Sequence, residues 1–321
     1  MNLIDVFIIG AGPAGAIAGA KLAQAGVSVK IVDKLKFPRF VIGESLLPRC
    51  NELLENANML SCVEDAAFEV KGGATFEGKK DEFTALDFSK NLGQKWGSSF
   101  QVKREEFDQL LINDAIGKGC DVAFETEVIA YDEVQNVITT KDIKGQIQTY
   151  KAKKVLDASG YGKVLPRLLN LEVPSSLTSR RATFARVNND NRATDETEGY
   201  IIISVVGDNE AWIWNIPFSD GTTSVGVVCS EEYFDSLDMN DEEFWNHVIY
   251  TYEPTAKRYK NSEKITQVDS ISAYSSSVSQ FFGENYLLSG NASEFLDPVF
   301  SSGVTLALES GNKAAELFIR E

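Results

Sequence analysis

LIDVFIIGAGPAGAIAGAKLAQAGVSVKIVD, residues 3–33, reads as one supersecondary unit. Residues 3–9 are a near-continuous apolar run of strand length, the pattern of a parallel strand buried on both faces. Gly10-Ala11-Gly12-Pro13-Ala14-Gly15 follows at once and opens an Ala-rich helical stretch that stops at Gly26. VSVKIVD then forms a second strand closing at Asp33. Strand, glycine turn, helix and acid-ended strand, in this order, suit a dinucleotide. Backbone amides approach a pyrophosphate where side chains are missing, the helix N-terminus favours its charge, and Asp33 is offset to meet ribose hydroxyls. Alone, the glycines would mark only a tight turn; the flanking strands and the acid favour the dinucleotide site.

The bulk numbers agree with such a unit inside a larger α/β chain. With 321 residues, 43 % hydrophobic and 10 % aromatic, there is enough apolar material for a large core or two closely joined subdomains. A formal charge of −16, from 47 acidic and 31 basic residues, opposes nucleic acid and anionic lipid as main partners. Cys50, Cys62, Cys120 and Cys229 are scattered with no CxxC pair, and His247 is the one histidine, so no metal site is expected. The apolar run at the N-terminus is too short to span a bilayer and is interrupted by Asp5, which suggests a cytoplasmic protein with no integral membrane segment.

Farther along, residues 72–102 alternate short apolar and polar runs and read as a small sheet. REEFDQLLINDAIGKG (104–119) spaces Phe107, Leu110, Leu111 and Ala115 on one helix face. VAFETEVIAYDEV, a hairpin turning near KDIKGQ, and VLDASG are strand-like. From about 182 to 229 several strands follow in a row, short helices are expected over 240–260, NYLLSG (285–290) reads as a last central strand, and 302–319 as a closing helix. The expected architecture is a Rossmann-like domain, residues 1–180 and 265–321, with an antiparallel substrate-side sheet inserted at 181–264. VLDASGYG (155–162), with Asp157 and Gly160, and NYLLSGNASEFLDP (285–298), with Gly290 and Asn291, each run a strand into a glycine turn. Flavin-binding Rossmann proteins resemble this, the second turn approaching the ribityl chain, so FAD is favoured over a nicotinamide cofactor. Arg104 matches the arginine of the VxRxxFDxxL pattern in such enzymes; otherwise it is a solvated charge at a helix start.

Three further motifs make the resemblance specific. FPRFVIGESLLP (37–48), Trp212-x-Trp214-x-Ile216-Pro217 and Phe295-x-x-Pro298-x-x-Ser301-x-Gly303 together resemble the flavin-dependent halogenases, within the larger group that includes p-hydroxybenzoate hydroxylase and geranylgeranyl reductase. The likeness covers almost the whole chain. It implies that the two indoles and Phe295 sit between flavin and substrate chambers; on spacing alone, Trp212 and Trp214 are equally two core rings on one side of a strand. It implies that Ser301, Ser302 and Gly303 offer backbone amides to halide or flavin, where the plain alternative is a serine cap. Pro298 would fix that turn.

By the same resemblance the 43–48 loop lies across the isoalloxazine face. Gly43 permits close approach, Pro48 restrains the loop, Arg39 offsets flavin or halide charge, and Ser45 belongs with the cofactor contacts. Glu44 is a catalytic candidate or else a helix cap. Halogenases also need a lysine at the far end of a tunnel that captures hypohalous acid; Lys71, in the KxGxxF arrangement of phenol- and pyrrole-type members, is the candidate, set against an ordinary surface lysine. Asn291 stands where many relatives carry Asp, and Phe300 where tryptophan-type members carry Glu, which argues against tryptophan as substrate. The implied activity is a two-component halogenase using reduced FAD from a separate reductase, oxygen and halide on an electron-rich small molecule. A monooxygenase or reductase on the same scaffold, and a flavin-binding protein without turnover, are the alternatives. Family members usually continue into a helical region that covers the substrate; this chain ends at Glu321.

Overall fold

The structure is a computed structural model that describes residues 2–78, 83–90, 95–175, 177–207, 210–272, 277–295 and 298–320; of Pro298 it describes the backbone. The N-terminal unit forms as its sequence demands: β1 (Asn2–Ile9), α1 (Pro13–Gln24) and β2 (Val29–Val32). β1 is buried on both faces, Val6 and Ile8 packing into one core and Phe7 and Ile9 into another, which is why it carries no polar alternation. Helices α2 (Pro48–Asn56) and α3 (Leu60–Glu64) lead to β3 (Glu69–Lys71), β4 (Gly73–Glu77), β5 (Phe83–Asp87) and β6 (Ser99–Gln101). Next come α4 (Arg104–Gly117), then β7 (Asp121–Ala123), β8 (Thr126–Asp132), β9 (Val137–Asp142) and the long β10 (Ile147–Asp157).

After α5 (Val164–Leu168) and β11 (Glu172–Val173) the chain turns to antiparallel sheet: β12 (Arg180–Asn188), β13 (Ile201–Val206), β14 (Ala211–Pro217) and β15 (Thr223–Ser230). Three helices follow, α6 (Glu231–Ser236), α7 (Asp241–Thr251) and α8 (Glu253–Arg258), α7 opening with an Asn240/Glu243 capping box. β16 (Glu263–Lys264), β17 (Asp269–Ser272), β18 (Ser277–Val278), β19 (Tyr286–Leu288) and α9 (Gly303–Arg320) complete the described residues.

Among those residues one sheet runs β7-β2-β1-β10-β9-β8 with β19 against β10, and a second runs β16-β12-β15-β14-β13-β4-β5 with β17 against β12. β4 and β5 therefore differ from the sequence expectation. They were expected in a small sheet of the cofactor half, but β4 pairs in parallel with β13 and extends the second sheet. Alternation announces a strand, whereas its partner here lies more than a hundred residues away. β16 and β17 also join the second sheet through β12, carrying it beyond residue 264. One face of the second sheet packs Phe244, Trp245, Val248 and Ile249 of α7. Its other face carries Ala74, Ile203, Trp214, Val228 and the contacting Phe295.

Register sets where a ligand can sit. Ile9 pairs with Asp157, and Asp157 with Leu288, so β1, β10 and β19 end abreast and release three glycine turns at one edge. Helix α9 is drawn against α1 at Gly311, where a Cβ would lie 2.3 Å from the Ala14 carbonyl oxygen. The crevice outside the carboxyl ends of parallel strands is the standard ligand position in such sheets.

Candidate flavin site and the buried lysine beside it

A cavity of about 880 Å³ occupies that edge, within the roughly 300–1,000 Å³ typical of cofactor pockets. Of the residues singled out from sequence, Gly10, Gly12, Pro13, Ala14, Asp33, Arg39, Glu44, Ser45, Arg104, Gly160, Gly290, Asn291, Trp212, Trp214, Phe295, Ser301, Ser302 and Gly303 line it. Gly15, Asp157 and Lys71 do not, and the side chain of Pro298 lies outside the described residues.

The glycine turn has the shape its sequence promised. Gly10 adopts φ +102°, and a Cβ there would sit 2.4 Å from the Ala158 carbonyl oxygen, so the first and second turns touch through bare backbone. Gly15 serves packing: a Cβ would meet the Gly10 carbonyl oxygen at 2.0 Å. Asp33 Oδ2 accepts from the Ala11 amide at 2.9 Å and Oδ1 from Leu35 at 2.9 Å, which fixes the carboxylate at the cavity wall. Asp157 is fully buried and accepts from the Ser159 and Leu165 amides at 2.9 and 2.7 Å. Burial pushes its carboxyl up, its hydrogen bonds pull the other way, and it braces the turn that carries Gly160 rather than facing the cavity.

Arg39 and Arg104 share one buried carboxylate. Asp108, with no exposed surface, accepts from Arg104 Nε at 2.7 Å and Nη2 at 2.9 Å, and from Arg39 Nη1 at 3.0 Å. The pairing holds the Arg39 head close to Gly12, whose Cβ would lie 3.3 Å from Nη2. Arg104 Nη1 also donates to the Ile42 and Gly43 carbonyls at 3.3 Å, tying the 43–48 loop to α4. The Arg104 to Asp108 spacing of four residues was a signal available in the sequence. Replacing Asp108 with Ala strands two guanidinium groups; Asp108→Ala is expected to destabilise by about 3–5 kcal/mol and to weaken FAD binding, read by urea unfolding and flavin titration. Stability equal to wild type would refute the role of Asp108.

Glu44 is also buried, its Oε1 accepting from Arg186 Nη2 at 2.7 Å; burial raises its carboxyl while Arg186 opposes the rise. Arg186, on β12, also bonds Glu105 on α4, so one guanidinium joins the cavity loop, α4 and the second sheet. No sequence pattern pointed to Arg186. The Trp212 and Trp214 ring centroids lie 6.1 Å apart on the cavity face, and Trp214 Nε1 donates to Ser224 Oγ at 3.2 Å. The Trp214 ring lies over Gly226 on the neighbouring strand, where a Cβ would come within 2.1 Å. At the remaining edge Ser301 takes φ +57° before Gly303 opens α9, whose N-terminal end faces the cavity.

Lys71 sits outside the cavity and is 1 % exposed. Its Nζ donates to the Leu46 carbonyl at 2.9 Å, on the same loop that presents Glu44 and Ser45 to the cavity, and lies 5.4 Å from the Phe88 ring centre. Burial brings its amine down to about 7.

The residues present fit a flavin dinucleotide: bare backbone at Gly10, an acid fixed at the cavity wall, and Arg39 beside the glycine turn. Among the described residues no helix is long and apolar enough to cross a membrane. The FAD binding domain family matches residues 3–318. A 1H-pyrrole-2-carbonyl-(peptidyl-carrier protein) chlorinase from Pseudomonas fluorescens is 31 % identical, over 97 % of this chain and 74 % of its own. The corresponding brominase from Pseudoalteromonas luteoviolacea is 30 % identical, over 97 % and 76 %. Among solved structures, a flavoprotein/dehydrogenase from Cytophaga hutchinsonii superposes with TM-score 0.94 at 41 % identity, covering 99 % of this chain and 78 % of that one. A myxobacterial chondrochloren halogenase superposes with TM-score 0.88 at 28 % identity, covering 97 % and 73 %.

Proposed function

Because the chain belongs to the FAD-binding domain family and, within it, to the flavin-dependent halogenases, with FAD as cofactor, we propose that it halogenates an electron-rich aromatic ring of pyrrole or phenol type. The observation that carries this is Lys71: an amine withdrawn from solvent, bonded to the loop that walls the FAD cavity, yet outside the cavity itself.

Reduced FAD supplies, with oxygen, the two-electron oxidation of halide to hypohalous acid. The chain's own residues do the rest. Gly10 and Gly12 admit the pyrophosphate beside Arg39, Asp33 meets the ribose, and Gly160, Gly290 and Asn291 meet the flavin side. Gly43, Glu44 and Ser45 screen the ring, and the amides of Ser301 to Gly303 hold halide. Trp212, Trp214 and Phe295 keep the aromatic substrate from direct contact with the flavin. The neutral amine of Lys71 takes the halogen from hypohalous acid, forming N–X and releasing water. The ring's carbon then takes the halogen, and its proton returns to nitrogen. The enzyme works in the cytoplasm with a separate flavin reductase.

The test loads the protein with reduced FAD and mixes it with oxygen, bromide and an electron-rich phenol or pyrrole, reading products by mass spectrometry. Brominated product is expected, and with the amine held near 7 its yield per flavin oxidised rises from pH 6 to 8. A yield falling over that range would exclude the neutral amine as acceptor. The 41 % identity to a protein described as a flavoprotein/dehydrogenase favours a second reading, a monooxygenase or reductase without halide use. Hydroxylated or reduced product indifferent to bromide would establish it.

A further inference from the structure

The short strand pairing that joins the cavity loop to Lys71 contains three side-chain oxygens left alone in the interior: Glu44 Oε2, Ser45 Oγ and Gln101 Oε1. Ser45 bridges Gln101 in antiparallel fashion, with Val102 donating to the Glu44 carbonyl at 2.7 Å and Leu46 to the Phe100 carbonyl at 3.0 Å. That pattern makes Ser45 and Gln101 the close, non-hydrogen-bonded type of pair, their side chains neighbours on one face. On the other side, β6 pairs with β3, Gln101 facing Glu69 and Ser99 facing Lys71. Side chains two residues apart share a face, so Ser45, Gln101, Ser99 and Lys71 share one polar face leading away from the cavity, together with Glu69 opposite Gln101. Ser45, Gln101, Ser99 and Lys71 are buried, from 0 to 4 % exposed, and Glu69 is half-buried.

Ser99 Oγ donates to the Leu47 carbonyl at 3.0 Å, and Gln101 Nε2 to the Gly199 carbonyl at 3.1 Å. Ser45 Oγ and Gln101 Oε1 have no hydrogen-bond partner among the described residues. Leaving a buried donor or acceptor unmatched costs about 1–3 kcal/mol each, and such groups are nearly always matched by protein or by a small bound molecule. Ser45 borders the cavity, so a ligand reaches the pair from there.

We propose that Ser45 Oγ and Gln101 Oε1 form a neutral station, between the FAD cavity and Lys71, for one small hydroxylic molecule: water at rest and hypohalous acid during turnover. The Ser45 hydroxyl can donate and Gln101 Oε1 can only accept, so the pair matches a neutral molecule that accepts one hydrogen bond and donates an O–H, while the unmatched carboxamide oxygen disfavours a free halide or hypohalite anion. Across β6 from this station, Glu69 stands opposite Gln101, and the amine held at Leu46 lies one pair farther, opposite Ser99. Its catalytic part rests on the halogenase reading; its water-binding part does not.

The test begins with a crystal structure of the wild-type protein loaded with FAD. A solvent peak at hydrogen-bonding distance from both Ser45 Oγ and Gln101 Oε1 is expected. A dry contact, with the Ser45 hydroxyl bonded to Gln101 or another protein group, overturns the proposal without any variant. Gln101→Met is then expected to lose the peak, to lower halogenated product per flavin oxidised about tenfold, and to release the missing oxidant as hypohalite caught by an external trap. Unchanged yield in a variant that still binds FAD removes the catalytic part. If the peak is present but the wild-type protein forms no halogenated product, the halogenase reading falls and the hydroxylic site stands. If product forms and the peak is absent, the station falls and that reading stands.

Discussion

Lys71→Met is expected to cut halogenated product by about 100-fold, equivalent to about 2.7 kcal/mol of barrier, while FAD affinity and oxygen-dependent flavin reoxidation stay close to wild type. Nothing in the cavity lining is altered, because Lys71 is not part of it. The same change is expected to stabilise the fold at neutral pH. Burial lowers the amine from 10.5 to about 7, so the folded chain releases a proton that the unfolded chain keeps throughout that interval. Stability of the wild type therefore rises with pH between about 7 and 10.5, and below about 7 the full cost of a buried ammonium applies. Methionine keeps the apolar stem beside Phe88 and never carries the charge. Its advantage, a few kcal/mol below pH 7 less about 1 kcal/mol for the unmatched Leu46 carbonyl, shrinks towards pH 10. Urea unfolding at pH 6 and 9.5 measures it. Equal stability of the two proteins at both values would mean that the amine is hydrated in solution, and retained halogenation would remove Lys71 from the chemistry.

The burial of Lys71 also shows where sequence patterns stop. In Glu69-Val70-Lys71 the valine is 54 % exposed and the lysine 1 %, the reverse of ordinary strand patterning. A violation of this kind belongs to sites where chemistry outweighs stability. The resemblance to the KxGxxF arrangement of halogenases nominated Lys71, but its inward direction follows from β3 pairing with β6 and from the Leu46 carbonyl, which no local window contains. The N-terminal βαβ unit was legible because each of its demands is local: apolar run, glycines, helix, acid. So were the closing helix, and the indole pair as neighbours on one face of a strand. Arg104 was visible as a motif residue, while its sharing of Asp108 with Arg39 needed the fold to bring α4 under the cavity loop. Arg186 offered no signal at all, since a charged residue in a strand reads as solvent-facing until Glu44 and Glu105 are placed around it.

Gly10→Ala is expected to weaken FAD binding by on the order of 100-fold, about 2.7 kcal/mol, through one methyl group. Two effects add at that position. The backbone at φ +102° disfavours any side chain, costing about 1–3 kcal/mol. The methyl would lie 2.4 Å from the Ala158 carbonyl oxygen and 2.9 Å from Ser159 Cα, so β1 and β10 cannot both keep their ends in place. Overpacking of this kind costs about 1–3 kcal/mol more, and what moves is the junction between the first two glycine turns, both of which line the cavity. Gly26→Ala separates strain from site. It has positive φ, +79°, and no atom within 4 Å of an added Cβ, so it should lower stability through backbone strain alone and leave flavin affinity unchanged. Isothermal titration of FAD into the two variants, with thermal melts beside it, gives the comparison. Parallel losses of affinity in both would show that general loosening of the fold governs flavin binding, whereas a loss confined to Gly10→Ala places the cause in the contact between bare backbones where β1 meets β10.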